Sequence, residues 1–330
     1  MKVIRILLVL VILVSLFFFI RATDLQQVVL SMQQVGYKFV ILILVTFIAA
    51  LLATIGWRYC MGEPGKNLPL WELFLVRVVG EAVALVNPTS IVVGEAVKVF
   101  LLREKEIERK TVVASMLISR AVMASTQLLL FLLMGIFLLW KGGFSWQFPQ
   151  FSPLFYLVLP GSIGLVLFLM RSPWLRNTLR PTRFGTALAQ RTAVLRQKVR
   201  EVRLELVLFY TTSQRNLALA ALFFTVHWIF GGMEFYFILL FLGVKATIMQ
   251  AILVDMGVVF FKAMGAFVPG QIGIEEYGNK VMLAMIGVPG TEIWVAASIL
   301  RRARQLFWIG FGLLIYFRMN KKWGSALREP

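Results

Sequence analysis

Phe267-Val268-Pro269-Gly270-Gln271-Ile272-Gly273-Ile274-Glu275-Glu276 places a helix breaker and two adjacent carboxylates where a membrane helix would otherwise run on. Pro269 lacks a backbone donor, and Gly270 and Gly273 let the chain turn without a Cβ clash. The pattern predicts a half-helix starting at about Ile274, with free first-turn amides and with Glu275 and Glu276 favoured by the helix dipole. One carboxylate is accounted for as a helix-start device. The other, facing the interior, is a candidate for pairing with Arg120, Arg302 or Arg304, or for proton coupling. An earlier segment repeats the pattern in part: Val86-Asn87-Pro88-Thr89-Ser90 leads to Gly94-Glu95-Ala96-Val97-Lys98, so a proline is again followed six or seven residues later by a glycine-acid step. Two broken apolar segments in the two halves of a membrane chain point to a substrate site near the bilayer midplane.

Composition sets the class. The 330 residues are 59% hydrophobic and only 15% charged, with a mean hydropathy of +0.83 and apolar runs at or near the ~20 residues that a spanning helix needs. The reading is a polytopic, all-α membrane protein, a single integral-membrane domain over 1–330. The lone Cys60 excludes an internal disulfide, and one histidine beside one cysteine leaves no metal-ligand cluster of standard spacing. No cofactor is expected. The net charge of +18 is explained by topology rather than by nucleic acid, because the basic residues lie mostly between apolar spans.

Six spans are predicted, at about 3–20, 39–57, 111–139, 154–170, 216–242 and 292–317. The first opens with Lys2 and Arg5 and is followed by Arg21, which favours an anchor over a cleaved signal. The connection 171–215 holds ten basic residues against Glu201 and Glu205 and is assigned to the cytoplasm, as are both termini. That assignment is self-consistent only if 68–110, in the first half (1–140), and 247–287, in the second (216–317), each enter and leave on one side, from opposite faces. Two inverted re-entrant or broken helical hairpins are therefore expected, and such backbone is tolerated only under protein or water. Within 171–215, Leu188, Leu195, Val199, Val202 and Leu206 draw one apolar stripe among basic residues, a surface helix that attracts anionic lipid.

Ionisable residues inside the membrane region each cost about 2.5 to 3.5 kcal/mol at a helix centre, so they require partners or water. Arg77 and Glu81 at i and i+4, and Glu95 and Lys98 at i and i+3, are spaced to pair with each other. Arg120 lies inside an apolar span with Ser115, Ser119, Ser125, Thr126 and Gln127 near it. It suits either a phosphate or a buried carboxylate such as Glu95 or Glu275. Lys280, Arg301 and Glu234 are read as residues that snorkel to an interface, and His227 as a packed or hydrogen-bonded histidine. No Ser/His/Asp order or phosphate-binding glycine loop can be placed, so the chain is not read as an enzyme.

His227-Trp228, the Phe267 to Glu276 stretch, Ser298-Ile299-Leu300-Arg301-Arg302-Ala303-Arg304 and, more weakly, Asn87-Pro88, Gly94 to Lys98 and Leu101-Leu102-Arg103 resemble the membrane-domain family of lysylphosphatidylglycerol synthase, and most closely its subgroup associated with hopanoid biosynthesis. Gln271 departs from the small residue usual in the family's turn, and Lys98 stands where arginine is common. The resemblance implies a multi-pass protein of the bacterial inner membrane that acts as a flippase, moving an amphipathic, anionic or isoprenoid-type lipid between leaflets. It does not imply lipid lysylation, because the soluble aminoacyl-transferase domain is not in this chain. The candidate substrate-binding residues are Glu95, Lys98, Arg120, Pro269, Gly270, Gly273, Glu275, Glu276, Arg302 and Arg304. Expected partners are the lipid substrate, anionic lipid at the basic 171–215 surface, and a second copy or a lipid-synthesis enzyme. The competing reading is a non-transporting accessory protein for a lipid-modifying or glycosyl-transfer system.

Overall fold

A computed structural model describes residues 30, 33, 35–86, 90–102, 107–141, 213–264, 273–288 and 290–326. The expected spans 3–20 and 154–170, the surface helix of 171–215, and the two prolines Pro88 and Pro269 with Gly270 lie outside the described residues. Within them the chain forms nine α-helices. These are α1 (Phe39–Cys60), α2 (Glu63–Lys66), α3 (Leu70–Val86), α4 (Ser90–Leu102), α5 (Arg109–Trp140), α6 (Gln214–Phe241), α7 (Ile248–Met264), α8 (Ile274–Met285) and α9 (Thr291–Ala326). Three of them, α1 with its 3-10 lead-in (Gly36–Cys60), α5 and α6, are long and apolar enough to cross a membrane. α9 covers the expected span 292–317 and reaches 36 residues, but carries Arg301, Arg302 and Arg304 within one turn.

Apolar length alone does not make α1 a good span, because Thr46 and Thr54 lie inside it. Their hydroxyls donate to the Leu42 and Ala50 carbonyls at 2.8 Å each, which hides the polarity within the helix's own turns. Beyond its end, Arg58 donates to the Gly65 and Lys66 carbonyls at 2.8 and 2.7 Å and braces the single turn of α2.

The core consists of two apolar clusters, and their membership gives the helix directions. One joins Val35 and the start of α1 (Phe39, Leu42) to the ends of α5 and α6 and to α7, α8 and the first part of α9. The other joins the end of α1 (Ala53, Trp57, Cys60) to the starts of α5 and α6 and to α3 and α4. α1 and α6 therefore run antiparallel, as do α5 and α9, whose later residues Leu313 and Tyr316 reach the second cluster. Contacts along the α1–α6 seam agree: Lys38 lies over the Phe241 ring and Tyr59 stacks on Phe223.

α3 and α4, of 17 and 13 residues, form one helical hairpin; α7 and α8, of 17 and 12 residues, form the other. At 1.5 Å per residue the second legs reach only about 18 to 20 Å, short of the ~30 Å hydrocarbon thickness. Each hairpin closes on small residues. A Cβ on Gly94 would lie 2.5 Å from the Gly80 carbonyl oxygen and 2.8 Å from the Ala84 Cβ, whereas one on Gly278 would meet the Phe261 side chain at 3.1 Å. The two hairpins are bridged by α9, which packs on α3 and on α8.

A rigid backbone contact and a yielding ring should respond differently. Gly94→Ala is expected to cost ~1–3 kcal/mol through forced separation of α3 from α4, and Gly278→Ala distinctly less, as read from thermal unfolding of the purified protein in detergent.

Candidate functional site

α1 and α6 cross at their midpoints, where the Nδ1 of His227 lies 2.8 Å from the Ala49 carbonyl oxygen. A carbonyl only accepts, so Nδ1 carries a proton. Beside this contact opens a cavity of about 230 Å³. Its wall comes from five helices: Thr46, Ala49 and Ala50 on α1; Arg77, Val78, Glu81 and Ala82 on α3; His227, Trp228, Gly231 and Glu234 on α6; Asp255, Val259 and Lys262 on α7; and Arg301, Arg304 and Trp308 on α9. Each hairpin thus supplies its first leg, and four cations face three carboxylates.

One guanidinium organises the second hairpin. Arg301 places Nη2 2.9 Å from Asp255 Oδ1 on α7 and Nε 3.0 Å from Glu275 Oε1 on α8, with all three side chains at least 94% buried. Its flat face lies over the Phe235 ring at 5.2 Å, a contact that suits a weakly hydrated planar cation. Glu275 also accepts from Lys262 Nζ at 3.2 Å and from Gln305 Nε2 at 3.0 Å. Opposite, Arg77 Nη2 lies 2.6 Å from Glu81, and Arg304 Nε donates to Glu234 at 2.8 Å. Arg77 Nε and Arg301 Nη1 have no hydrogen-bond acceptor among the described residues.

The two adjacent carboxylates at the start of α8 divide the roles that the sequence left open. Gly273 adopts φ +81°, the left-handed region that a glycine enters freely, and its N–H donates to Glu276 Oε2 at 2.8 Å. Glu276 is therefore the helix-start device. It is also an ion-pair partner, because Arg302 Nε and Nη2 both donate to its Oε1, at 2.8 and 2.6 Å. Glu275 is the interior carboxylate. In the first hairpin, Glu95 Oε1 accepts from Lys98 Nζ at 3.2 Å and from Arg120 Nε and Nη2 at 3.2 and 2.6 Å. Of the two carboxylates considered for Arg120, the structure brings it to Glu95.

Of the expected site residues, Arg304 lines the cavity and Glu275 stands behind Arg301 and Lys262. Glu276 with Arg302, and Glu95 with Lys98 and Arg120, form two further clusters, each between the second leg of a hairpin and the long helix that follows it. Pro269 and Gly270 are outside the described residues. Arg301 and Glu234 do not snorkel: both are 4% exposed and ion-paired inside the protein, because their helix faces turn toward α7 and α9. Lys280 is exposed.

Arg77, Glu81, Asp255 and Lys262 were left out of the expected site, yet a periodic signal marks them. On each wall helix the lining positions recur three and four residues apart, as in Asp255, Val259 and Lys262, or His227, Gly231 and Glu234. This is one narrow helix face carrying charge and small residues instead of bulk. Among the described residues no three His, Cys, Asp or Glu side chains are grouped to hold a metal.

Residues 3–312 match the family described as the lysylphosphatidylglycerol synthase TM region. The chain belongs to that family. No curated protein and no solved structure matches it. As a member of the lysylphosphatidylglycerol synthase TM family, with three helices among the described residues long and apolar enough to cross a membrane, it is a membrane protein with a lipid-related role.

The double clamp on Arg301 makes it the most sensitive cation of the site. Arg301→Gln, which removes the cation paired with buried Asp255 and takes one of three partners from Glu275, is expected to cost ~3–5 kcal/mol. Combining it with Asp255→Asn and Glu275→Gln should recover most of that loss, measured by unfolding in detergent.

Proposed function

We propose that this protein is a lipid translocase of the bacterial inner membrane, working with six spanning helices and two re-entrant hairpins that enter from opposite faces. Both termini are cytoplasmic in this reading. The observation that carries it is the charged cavity at the crossing of α1 and α6. Two antiparallel spans meet there at mid-length, so the cavity falls at the bilayer midplane, where broken-helix transporters place their sites. Seven Arg, Lys, Asp and Glu side chains at that depth are costly to retain, and a static support needs none of them. The short second legs and the antiparallel α1/α6 and α5/α9 pairs favour the inverted hairpin topology.

The substrate is an amphipathic lipid whose headgroup enters the cavity while its chains stay in the bilayer. With Glu275 the four cations of the wall meet four carboxylates, and an anionic group suits the donors left over, Arg77 Nε and Arg301 Nη1. Arg304, and through it α9, meets the headgroup, while Glu275 holds Arg301 and Lys262 in place. An isoprenoid-type lipid of the kind handled in hopanoid biosynthesis fits the same arrangement. No chemical step is assigned, and the basic 171–215 connection serves as a contact for anionic lipid on the cytoplasmic side.

The accessory reading draws on one observation, that each carboxylate of the cavity is in an ion pair within the protein. Reconstitution separates the two. Purified protein in liposomes of anionic phospholipid is expected to speed leaflet exchange of a labelled lipid. Glu276→Gln with Arg120→Gln should slow it by about tenfold, equal to ~1.4 kcal/mol. Exchange no faster than in protein-free vesicles would overturn the translocase reading, whereas full exchange by the double variant would remove Glu276 and Arg120 from its machinery.

A further inference from the structure

The two halves of the molecule carry the same salt bridge at the same place. Arg120 is the twelfth residue of α5, counted from Arg109, and Arg302 is the twelfth residue of α9, counted from Thr291. Each is on the long helix that follows its hairpin, and each directs Nε and Nη2 at a single carboxylate oxygen on the first half of the hairpin's second leg, Glu95 being the sixth residue of α4 and Glu276 the third of α8. The distances are 3.2 and 2.6 Å to Glu95 Oε1 and 2.8 and 2.6 Å to Glu276 Oε1. The hairpin legs match as well, at 17 and 13 residues against 17 and 12.

We infer that Arg120–Glu95 and Arg302–Glu276 are equivalent clamps of two inversely related units, holding the second leg of each hairpin against its long helix, and that they open alternately to admit a lipid headgroup from opposite faces. This rests on the translocase reading above.

Three features distinguish these clamps from fixed salt bridges. First, each glutamate keeps a partner within its own hairpin when the arginine leaves: Lys98 Nζ for Glu95 and the Gly273 N–H for Glu276. Releasing the clamp therefore leaves each carboxylate with a hydrogen-bond donor, and these carboxylates are partly exposed, which lowers the cost of breaking the pair. Glu275, by contrast, is held at once by Lys262, Arg301 and Gln305 from α7 and α9 and has the character of a fixed anchor. Second, the clamp carboxylates are more open, at 20% and 26% exposure against 4% for Glu275.

Third, each long helix is tied to the opposite hairpin by packing that the clamp does not touch. α5 meets α7 through Gln127 Nε2, 3.4 Å from the Met256 carbonyl oxygen, and through Phe131 edge-on to Phe260. α9 meets α3 where a Cβ on Gly312 would lie 2.5 Å from the Ala82 Cβ. A second leg can thus move off its long helix while the rest of the wall stays assembled. α4 belongs to one apolar cluster and α8 to the other, and Trp228 of the cavity packs against both clusters. The two openings consequently lie toward opposite ends of the cavity.

A thiol placed in the cavity wall tests this in the full chain. With Cys60→Ser removing the one native cysteine and Ala50→Cys on the α1 wall, a membrane-impermeant maleimide is applied to sealed vesicles of both orientations. Arg120→Gln is expected to raise labelling from one face and Arg302→Gln from the opposite face, each by about tenfold if the open state is minor in the parent. Glu95→Gln and Glu276→Gln should reproduce the respective faces, which a mere loss of folding would not. Labelling raised from the same face by both arginine variants, or unchanged by both in folded protein, would overturn the clamps. If labelling alternates as expected but the parent moves no lipid in liposomes, the translocase reading fails and the clamps stand; lipid movement with unchanged labelling defeats the clamps alone.

Discussion

The arrangement depends on the guanidinium of Arg301, held between Asp255 and Glu275 in a deeply buried part of the fold. A cation at that depth is tolerated only with opposite charge in contact, and two carboxylates there are tolerated only with the cation between them. The three groups belong to α9, α7 and α8, so satisfying one residue's charge fixes the relative position of three helices. Lys262 and Gln305 complete the second carboxylate from α7 and α9. The cavity wall then follows, since Arg301 and Asp255 are part of it.

A second constraint is the mismatch between hairpin length and membrane thickness. Legs of 12 and 13 residues cannot cross, so their ends must lie within protein, and the close approach of Gly94 to Gly80 and of Gly278 to Phe261 supplies the necessary proximity. Where such a leg begins, its first amides need acceptors. Glu276 provides one for Gly273 while also receiving Arg302. The same carboxylate thus starts a helix and ties it to the next, so the turn chemistry and the charge network are one feature.

Much of the fold was legible along the chain. The expected spans 39–57, 111–139 and 216–242 correspond to helices at Phe39–Cys60, Arg109–Trp140 and Gln214–Phe241, because a bilayer-length apolar run has few alternatives. The half-helix expected at Ile274 begins there, since Gly273 and two acidic residues mark a helix start in any context. The site was legible only in part. Arg301 and Glu234 were read as interfacial, as charge at the end of an apolar run looks the same whether it reaches water or a buried partner. Asp255 and Lys262 lay in a predicted hairpin at no helical pairing distance from a counterion, Arg301 and Glu275 being 46 and 13 residues further along the chain.

What the sequence determined by itself was the membrane class, the three apolar spans, the two interruptions and the identity of the ionisable groups, all of them consequences of local composition and backbone chemistry. What only the tertiary structure decided was the pairing. Arg120 had two acceptable carboxylates and the packing of α4 against α5 selected Glu95; Glu275 and Glu276 were equivalent in sequence until α8 turned one inward and left the other at its cap. An ion pair depends on a few ångströms of separation in space, and that distance is set by how helices far apart in the chain pack together.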